Sequence, residues 1–270
     1  MTLPVDLVLV RHGQSEGNEA KKRAEHGDHS AYTPEFLKRH TATYRLTEKG
    51  RAQALAAGVW LRKEFATDDT ARSAFDRCYV SSYARAMETA ALLRLPRASW
   101  YLDDYLTERD WGELDRYPPA ERAARFGEAL ARRDDEPFFW RPKGGQTFQE
   151  LCLRVDRVLH TLHRECSEKQ VLLACHGEVM RAFQVRIERL GQPRFKELHL
   201  SEDPLDSIWN CQIVHYTRRD PERPKAPLSA HADWVRHIRP TENPARESGW
   251  RRIVRNSYSN GQLLRLVEES

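Results

Sequence analysis

Arginine and histidine residues follow directly after apolar stretches of the sequence. "LVLVRHGQSEGNE" delivers Arg11 and His12, "QVLLACHG" delivers His176, and "CYVSS" leads into a predicted helix whose first turn carries Arg85. Val- and Leu-rich runs of this kind are typical of buried parallel strands, and ligands bind beyond the carboxyl ends of such strands. The first turn of a helix also offers free N–H groups to an anion. Two arginines and two histidines at one sheet edge would suit a tetrahedral oxyanion, above all phosphate.

A carboxyl group for proton transfer is available in "LTERDWGELD", which follows the third predicted strand "ASWYLDDYL". Glu108 and Glu113 both lie in this loop, and either could exchange a proton with a leaving group. The residues alone also permit structural roles. Arg85 could pair with Glu88 on a helix surface, and His176 could be a core histidine bonded to the backbone.

Composition narrows the class of protein. The chain has 270 residues, of which 40% are hydrophobic and 31% charged, so it is long enough for one large α/β domain. It has no apolar run of membrane-spanning length and no signal-type start, which predicts a cytoplasmic protein without membrane contact. The five cysteines are scattered without a CxxC pair, as expected for small buried residues in a reducing compartment. His160 and His163 lie three apart on a predicted helix, but no partner ligands for a metal are evident.

Predicted strands and helices alternate along the chain. This pattern predicts a three-layer α/β fold, with a mainly parallel sheet and helices on both faces. Thr47 is a predicted N-cap, and Thr147 with Glu150 forms a predicted capping box. A polar segment, 19–45, interrupts the alternation as an insertion. "NCQIVHYT" predicts a further strand.

The C-terminal extension, 218–270, differs from the preceding domain, 1–217. From residue 217 onward the chain carries 11 basic and 7 acidic side chains, which accounts for the net charge of +4. A proline-containing linker opens the extension, and short helices are predicted around Ile253 and from Gln262. Because acids interleave with the basic residues, a solvated surface packed on the same domain is favoured over a nucleic-acid interface.

Seven motifs resemble, in kind and order, those of the histidine phosphatase superfamily, specifically its phosphoglycerate mutase-like branch. They are "VRHGQSEGN", "LTEKGRAQA", "SSYARAMET", "LTERDWGEL", "PKGGQTFQEL", "CHG" and "NCQIVHY", and they span roughly residues 5 to 217. The triplet Arg-His-Gly alone is a weak signal, whereas seven motifs in order are a strong one. The resemblance implies phosphoryl transfer through a phosphohistidine.

Carried over position by position, the resemblance implies that His12 is the nucleophile. Glu108, rather than Glu113, would be the general acid and then the base, which asks for a raised pKa. No metal or other cofactor is implied, because arginines supply the charge that Mg²⁺ supplies elsewhere. The groups that would hold the phosphoryl oxygens or the substrate are hydrogen-bond donors: Arg11, Arg85, His176, Ser15 and Asn18.

These features predict a phosphatase that acts on a small-molecule phosphate monoester. A phosphoglycerate mutase is the alternative within the same chemistry, and Arg132 and Arg133 could bind a substrate carboxylate there. The acids of 134–136 dilute that charge. A binding protein that retains the fold is the alternative of another class, and the intact set of reactive residues argues against it. The physiological substrate and the formation of a homo-oligomer are left open by the sequence.

Overall fold

The computed structural model describes residues 2–66, 73–242 and 244–268. Within them, one sheet contains the strands β1 Asp6–Arg11, β2 Arg77–Val80, β3 Trp100–Leu102, β4 Gln170–Cys175, β5 Ile213–Thr217, β6 Trp234–Arg239, β7 Arg246–Glu247 and β8 Arg251–Arg252. The α-helices are α1 Glu16–Glu25, α2 Pro34–Lys38, α3 Glu48–Glu64, α4 Ala84–Leu92, α5 Pro119–Asp135, α6 Phe148–Glu165, α7 Gly177–Glu188, α8 Gln192–Leu200 and α9 Asn260–Glu268. Short 3₁₀ helices lie at Thr41–Thr43, Asp104–Leu106 and Gly112–Arg116.

The sheet order is β3-β2-β4-β1-β5-β6-β7, and β8 pairs with β6. Strands β3, β2, β4 and β1 are parallel neighbours, whereas β5 runs antiparallel to β1. Helices α3 and α4 pack on one face of the sheet, and α6, α7 and α8 pack on the other. The predicted three-layer fold is therefore confirmed, with antiparallel pairing from β5 onward.

Strand β1 is apolar throughout because both of its faces are covered. Val8 and Val10 contact the cluster under α3, and Leu7 and Leu9 contact the cluster under α6 and α7. All four side chains are buried. Burial on both faces explains the apolar run that the sequence shows, and the strand carries Arg11 to the carboxyl edge of the sheet.

The predicted helix starts agree with the structure. The Thr47 hydroxyl accepts a hydrogen bond from the Gly50 N–H at 3.1 Å and begins α3. Thr147 and Glu150 form the predicted capping box at the start of α6. Since α4 begins at Ala84, Arg85 lies in its first turn as expected.

The extension adds strands to the same sheet. β6 pairs antiparallel with β5, and β7 and β8 pair with β6. The helix predicted around Ile253 is wrong. Arg251–Arg252 form β8 instead, and Ile253 is buried in the core, where its N–H donates to the Asp233 carbonyl at 2.7 Å. The helix predicted from Gln262 is present as α9. No helix of the described residues is long and apolar enough to cross a membrane.

A buried polar chain joins the extension to the amino end of β1. His215 Nε2 lies 3.0 Å from Asp6 Oδ1, and Arg236 Nη2 lies 3.2 Å from His215 Nδ1. Arg236 also donates to Glu64 and lies over the Trp250 ring, with its Cζ 4.5 Å from the ring centroid. Burial and the charge of Arg236 lower the pKa of His215, against the raising effect of Asp6, so a neutral imidazole links the acid to the arginine. The extension is thus attached by a network in which each buried group has a partner.

Arg236→Ala should lower the free energy of unfolding by about 1–3 kcal/mol, because it leaves the buried Nδ1 of His215 without its donor. Urea denaturation of both proteins gives this difference. Arg252→Ala, which removes an exposed arginine from β8, is the control and should change stability by less than about 0.5 kcal/mol. Equal effects of the two substitutions would show that the buried chain does not hold the extension.

Candidate active site

The pairing of β1 with β4 brings the two predicted site histidines together. Arg11 is opposite Cys175 in the parallel ladder, so His12 and His176 follow at the same edge. Their rings meet edge to face with centroids 5.1 Å apart, and both side chains are buried. Neighbouring parallel strands therefore set the distance between the two histidines.

Hydrogen bonds determine the tautomer of His12. Its Nδ1 lies 2.7 Å from the Gly13 carbonyl, which can only accept, so Nδ1 carries the proton. Its Nε2 accepts from Arg85 Nε at 3.1 Å. Burial, and then the charges of Arg85 and Arg11, lower the pKa of His12 well below the usual range. The side chain is therefore a neutral imidazole whose Nε2 lone pair faces the cationic cluster.

Arg85 is held in this cluster by the insertion. Its Nη1 donates to the Thr41 carbonyl at 2.6 Å, and its Cζ lies 4.9 Å from the centroid of the Tyr83 ring. The alternative partner, Glu88, instead accepts from Arg51 at 2.9 Å and from Arg45. Arg85 thus points at the nucleophile candidate and away from the helix surface.

Two buried donors of the cluster have no hydrogen-bond partner among the described residues: Arg11 Nε and His176 Nδ1. The Ser81 hydroxyl accepts from the Tyr83 N–H at 3.3 Å, so it can donate to His176 Nε2 at 2.8 Å and leave the proton of His176 on Nδ1. Burying an unpaired donor costs about 1–3 kcal/mol. Arg11 ends β1, His176 follows the adjacent strand β4, and α7 begins beside them at Gly177. Two unpaired donors beside a helix N-terminus favour a site for an anion over a core role for His176.

Glu108 and Glu113 have different surroundings. Glu108 is partly buried, and burial, followed by the negative charge of Glu178, raises its pKa. Arg85 and Arg11 act in the opposite direction on the Glu108 pKa, which places this carboxyl beside the cationic cluster. Glu113 instead pairs with the exposed Lys143 at 2.9 Å. The surroundings of Glu108 therefore favour its protonated form, whereas Glu113 is the partner of a surface lysine.

Ser15 and Asn18 lie at the start of α1. The Ser15 hydroxyl caps the helix by accepting from the Asn18 N–H at 3.3 Å. Asn18 Oδ1 accepts from the Ser15 N–H at 3.2 Å and from Asn210 Nδ2 at 3.1 Å. Asn210 Nδ2 also donates to the His12 carbonyl at 3.0 Å. This network orients the Asn18 side chain through its Oδ1.

Arg154 is a site residue that the sequence analysis missed. It donates from α6 to the Thr107 hydroxyl and, at 3.3 Å, to the Glu108 carbonyl, so it holds the loop that carries Glu108. Arg154 and the exposed Arg157 both lie in the amphipathic helix α6, so the sequence does not show which of the two arginines contacts another segment. Asn210 could have been found, since it opens a motif already quoted. Among the described residues, no group of three or more His, Cys, Asp or Glu side chains is placed to hold a metal ion.

The sequence is similar to a known protein family and to several of its members. The family model described as the histidine phosphatase superfamily (branch 1) matches residues 7–217. A 2,3-bisphosphoglycerate-dependent phosphoglycerate mutase of Methylobacterium radiotolerans is 30% identical over 203 residues, which cover 72% of this chain and 84% of the relative. The mutase of the same name from Brucella melitensis is 32% identical over 199 residues, which cover 68% and 82%.

Solved structures share the fold at low sequence identity. A mycobacterial glucosyl-3-phosphoglycerate phosphatase in complex with VO3 has a TM-score of 0.60 and 20% identity, over 94% of this chain and 99% of the other. A structure described as a putative alpha-ribazole-5'-P phosphatase from Escherichia coli has a TM-score of 0.60 and 18% identity, over 80% and 92%. At these identities the likeness supports the α/β fold.

The state of His12 leads to a titration prediction. Because its pKa lies well below the usual range, the imidazole signals of His12 should stay unchanged from pH 8 to about pH 6. Nuclear magnetic resonance of ¹⁵N-labelled histidine measures this, and His12→Asn assigns the signal. A transition of the His12 signal centred near pH 6.5 would show that the nucleophile candidate is not held neutral.

Proposed function

This chain belongs to the histidine phosphatase superfamily, branch 1, and we propose that it hydrolyses a phosphate monoester through a phosphohistidine at His12. One observation carries the proposal: the Nε2 lone pair of neutral His12 faces Arg85, beside the unpaired donors of Arg11 and His176. A candidate nucleophile and donors for an oxyanion thus lie at the same edge of the sheet, on the neighbouring strands β1 and β4. A binding protein that only retained the fold would have no need of this combination.

In the first step, His12 Nε2 attacks phosphorus and the bond from phosphorus to the leaving oxygen breaks. Glu108 gives its proton to that oxygen and becomes a carboxylate. Arg11, Arg85 and His176 stabilise the negative charge on the phosphoryl oxygens. This stabilisation accounts for most of the lowering of the barrier to phosphoryl transfer. When Nε2 forms the new bond, the Arg85 Nε–H loses its present acceptor and can turn to a phosphoryl oxygen.

In the second step, water attacks phosphorus and gives a proton to the Glu108 carboxylate. The phosphorus–nitrogen bond breaks, inorganic phosphate leaves, and His12 returns to its neutral form. Because the arginines supply the positive charge, we propose that neither step uses a metal ion.

Water, rather than a second substrate, is the proposed acceptor, although the similar curated proteins are named as mutases. A phosphoglycerate carries a carboxylate that needs basic partners near the site. Of the two candidates, Arg133 pairs with Asp134 at 2.7 Å, and Arg132 is exposed on α5. Three further basic residues in the insertion or near the Glu108 loop are paired: Arg39 with Glu16, Arg122 with Asp115 and Lys143 with Glu113.

The proposal predicts release of inorganic phosphate from alkyl and aryl monoesters in the presence of EDTA, and no release by His12→Asn. Supplied with 3-phosphoglycerate and 2,3-bisphosphoglycerate, the enzyme should form free phosphate faster than it forms 2-phosphoglycerate. Phosphate release and phosphorus resonance measure the two products. Faster formation of the isomer would identify a mutase, and loss with EDTA that a divalent ion restores would identify a metal enzyme.

Glu108→Gln should slow phosphoenzyme formation from an alkyl phosphate by roughly 10²–10⁴-fold, the usual range for a general acid. An aryl phosphate with an acidic leaving group needs little protonation, so its phosphoenzyme should form at nearly the normal rate and then accumulate. Single-turnover measurements with both substrates separate the steps, and Glu113→Gln is the control. Equal losses with both substrates would exclude Glu108 as the acid.

A further inference from the structure

We propose that Glu178 is a positioning residue for the acid–base step, acting with Arg109 to keep Glu108 in place as the proton donor. The inference rests on the proposed role of Glu108. Glu178 lies two residues after His176 in the first turn of α7, and Arg109 directly follows Glu108. The family resemblance assigned no role to either residue. Arg109 lies within the motif "LTERDWGEL", and Glu178 directly follows the motif "CHG".

Arg109 connects the two carboxyl groups. Its backbone N–H donates to Glu108 Oε1 at 3.0 Å, and its Nη1 lies 3.5 Å from Glu178 Oε2. These two atoms, Arg109 Nη1 and Glu178 Oε2, are buried and have no hydrogen-bond partner among the described residues. Each therefore depends on the other for charge compensation, since an unpaired buried charge is costly.

The Arg109 side chain has no freedom to move toward Glu108. It is completely buried, its Nε donates to the Gln146 carbonyl at 2.9 Å, and its Nη2 donates to the Trp140 carbonyl at 3.1 Å. The guanidinium also lies over the Trp111 ring, with its Cζ 4.5 Å from the centroid. The positive charge of Arg109 is thus fixed toward Glu178, while its backbone fixes the Glu108 carboxyl.

The neighbouring carboxyl groups of Glu108 and Glu178 therefore have different roles. Glu178 takes the guanidinium as its counter-ion, and its negative charge opposes ionisation of Glu108. Two carboxyl groups near one another are disfavoured when both are charged, and a site can use this to keep one of them protonated. The charged or titratable groups that face Glu108 are Arg11 on β1, Tyr83 and Arg85 at α4, Arg109, Arg154 on α6, Cys175 on β4 and Glu178 on α7.

Glu178→Gln tests the inference because it keeps the shape of the side chain and removes its charge. The measurement is the rate of phosphoenzyme formation from an alkyl phosphate as a function of pH. That rate falls on the alkaline side, where Glu108 loses its proton. Without the Glu178 charge, this fall of the rate at alkaline pH (the alkaline fall) should move to lower pH. Each pH unit of displacement means about tenfold less protonated Glu108 at a given alkaline pH.

The same variant should form phosphoenzyme from an aryl phosphate at nearly the wild-type rate, because little proton donation is needed. Glu113→Gln removes a carboxylate of the same loop that pairs with Lys143, and should leave the alkaline fall unmoved. Glu178→Asp keeps the charge and should leave the fall near its wild-type position.

Three results would overturn the inference: an unmoved alkaline fall in Glu178→Gln, equal slowing of both substrates, or the same displacement in Glu178→Asp. Equal slowing would mark a structural role for Glu178. Failure of the proposed function looks different, because the wild-type protein would then form no phosphoenzyme from either substrate.

Discussion

The parallel pairing of β1 with β4 is the constraint on which the site depends. Its register puts Arg11 opposite Cys175 and sends His12 and His176 out of adjacent strands at the same height. Because helices cover both faces of these strands, the two imidazoles are buried. Burial beside Arg85 and Arg11 lowers the pKa of both histidines, so both are neutral. A shift of β4 by one residue against β1 would turn the side chains of β4 to the opposite face of the sheet and break this alignment.

The histidines of the cluster are neutral and its arginines are positively charged, so the cluster favours a negatively charged ligand. Arg85 is buried and Arg11 is partly buried at the cluster, and burial lowers the pKa of each. Glu108 lies close enough to act on both, yet its own pKa is raised. With Glu108 protonated, a phosphoryl group would be the counter-ion of the two arginines. Preorganised charge of this kind lowers the barrier without reorganisation during the reaction.

The sequence predicted the fold and the neighbourhood of the candidate site residues because both leave local patterns. Apolar runs ending in Arg11, His12 and His176 indicated buried strands and a common edge, and Thr147 with Glu150 marked the start of α6. Arg154 carried no such pattern, since its contact with the Glu108 loop depends on how a distant helix packs.

Contacts between distant segments also determine the remaining features. The strand β8 replaced a predicted helix because Ile253 bonds to Asp233 beside β6. The protonated nitrogen of His12 follows from the position of the Gly13 carbonyl, which composition cannot supply. Residue types therefore indicated the chemistry, whereas the surroundings that tune each group required the folded chain.

Mapping the phosphorylated residue during turnover decides whether His12 is the nucleophile. The protein is mixed with an aryl phosphate, quenched in alkali within the first turnovers, digested, and examined by mass spectrometry. We expect one phosphoryl group on the peptide that contains His12, formed at least as fast as overall turnover. Continued turnover with no phosphoryl group on His12, or with the group on another residue, would contradict this expectation.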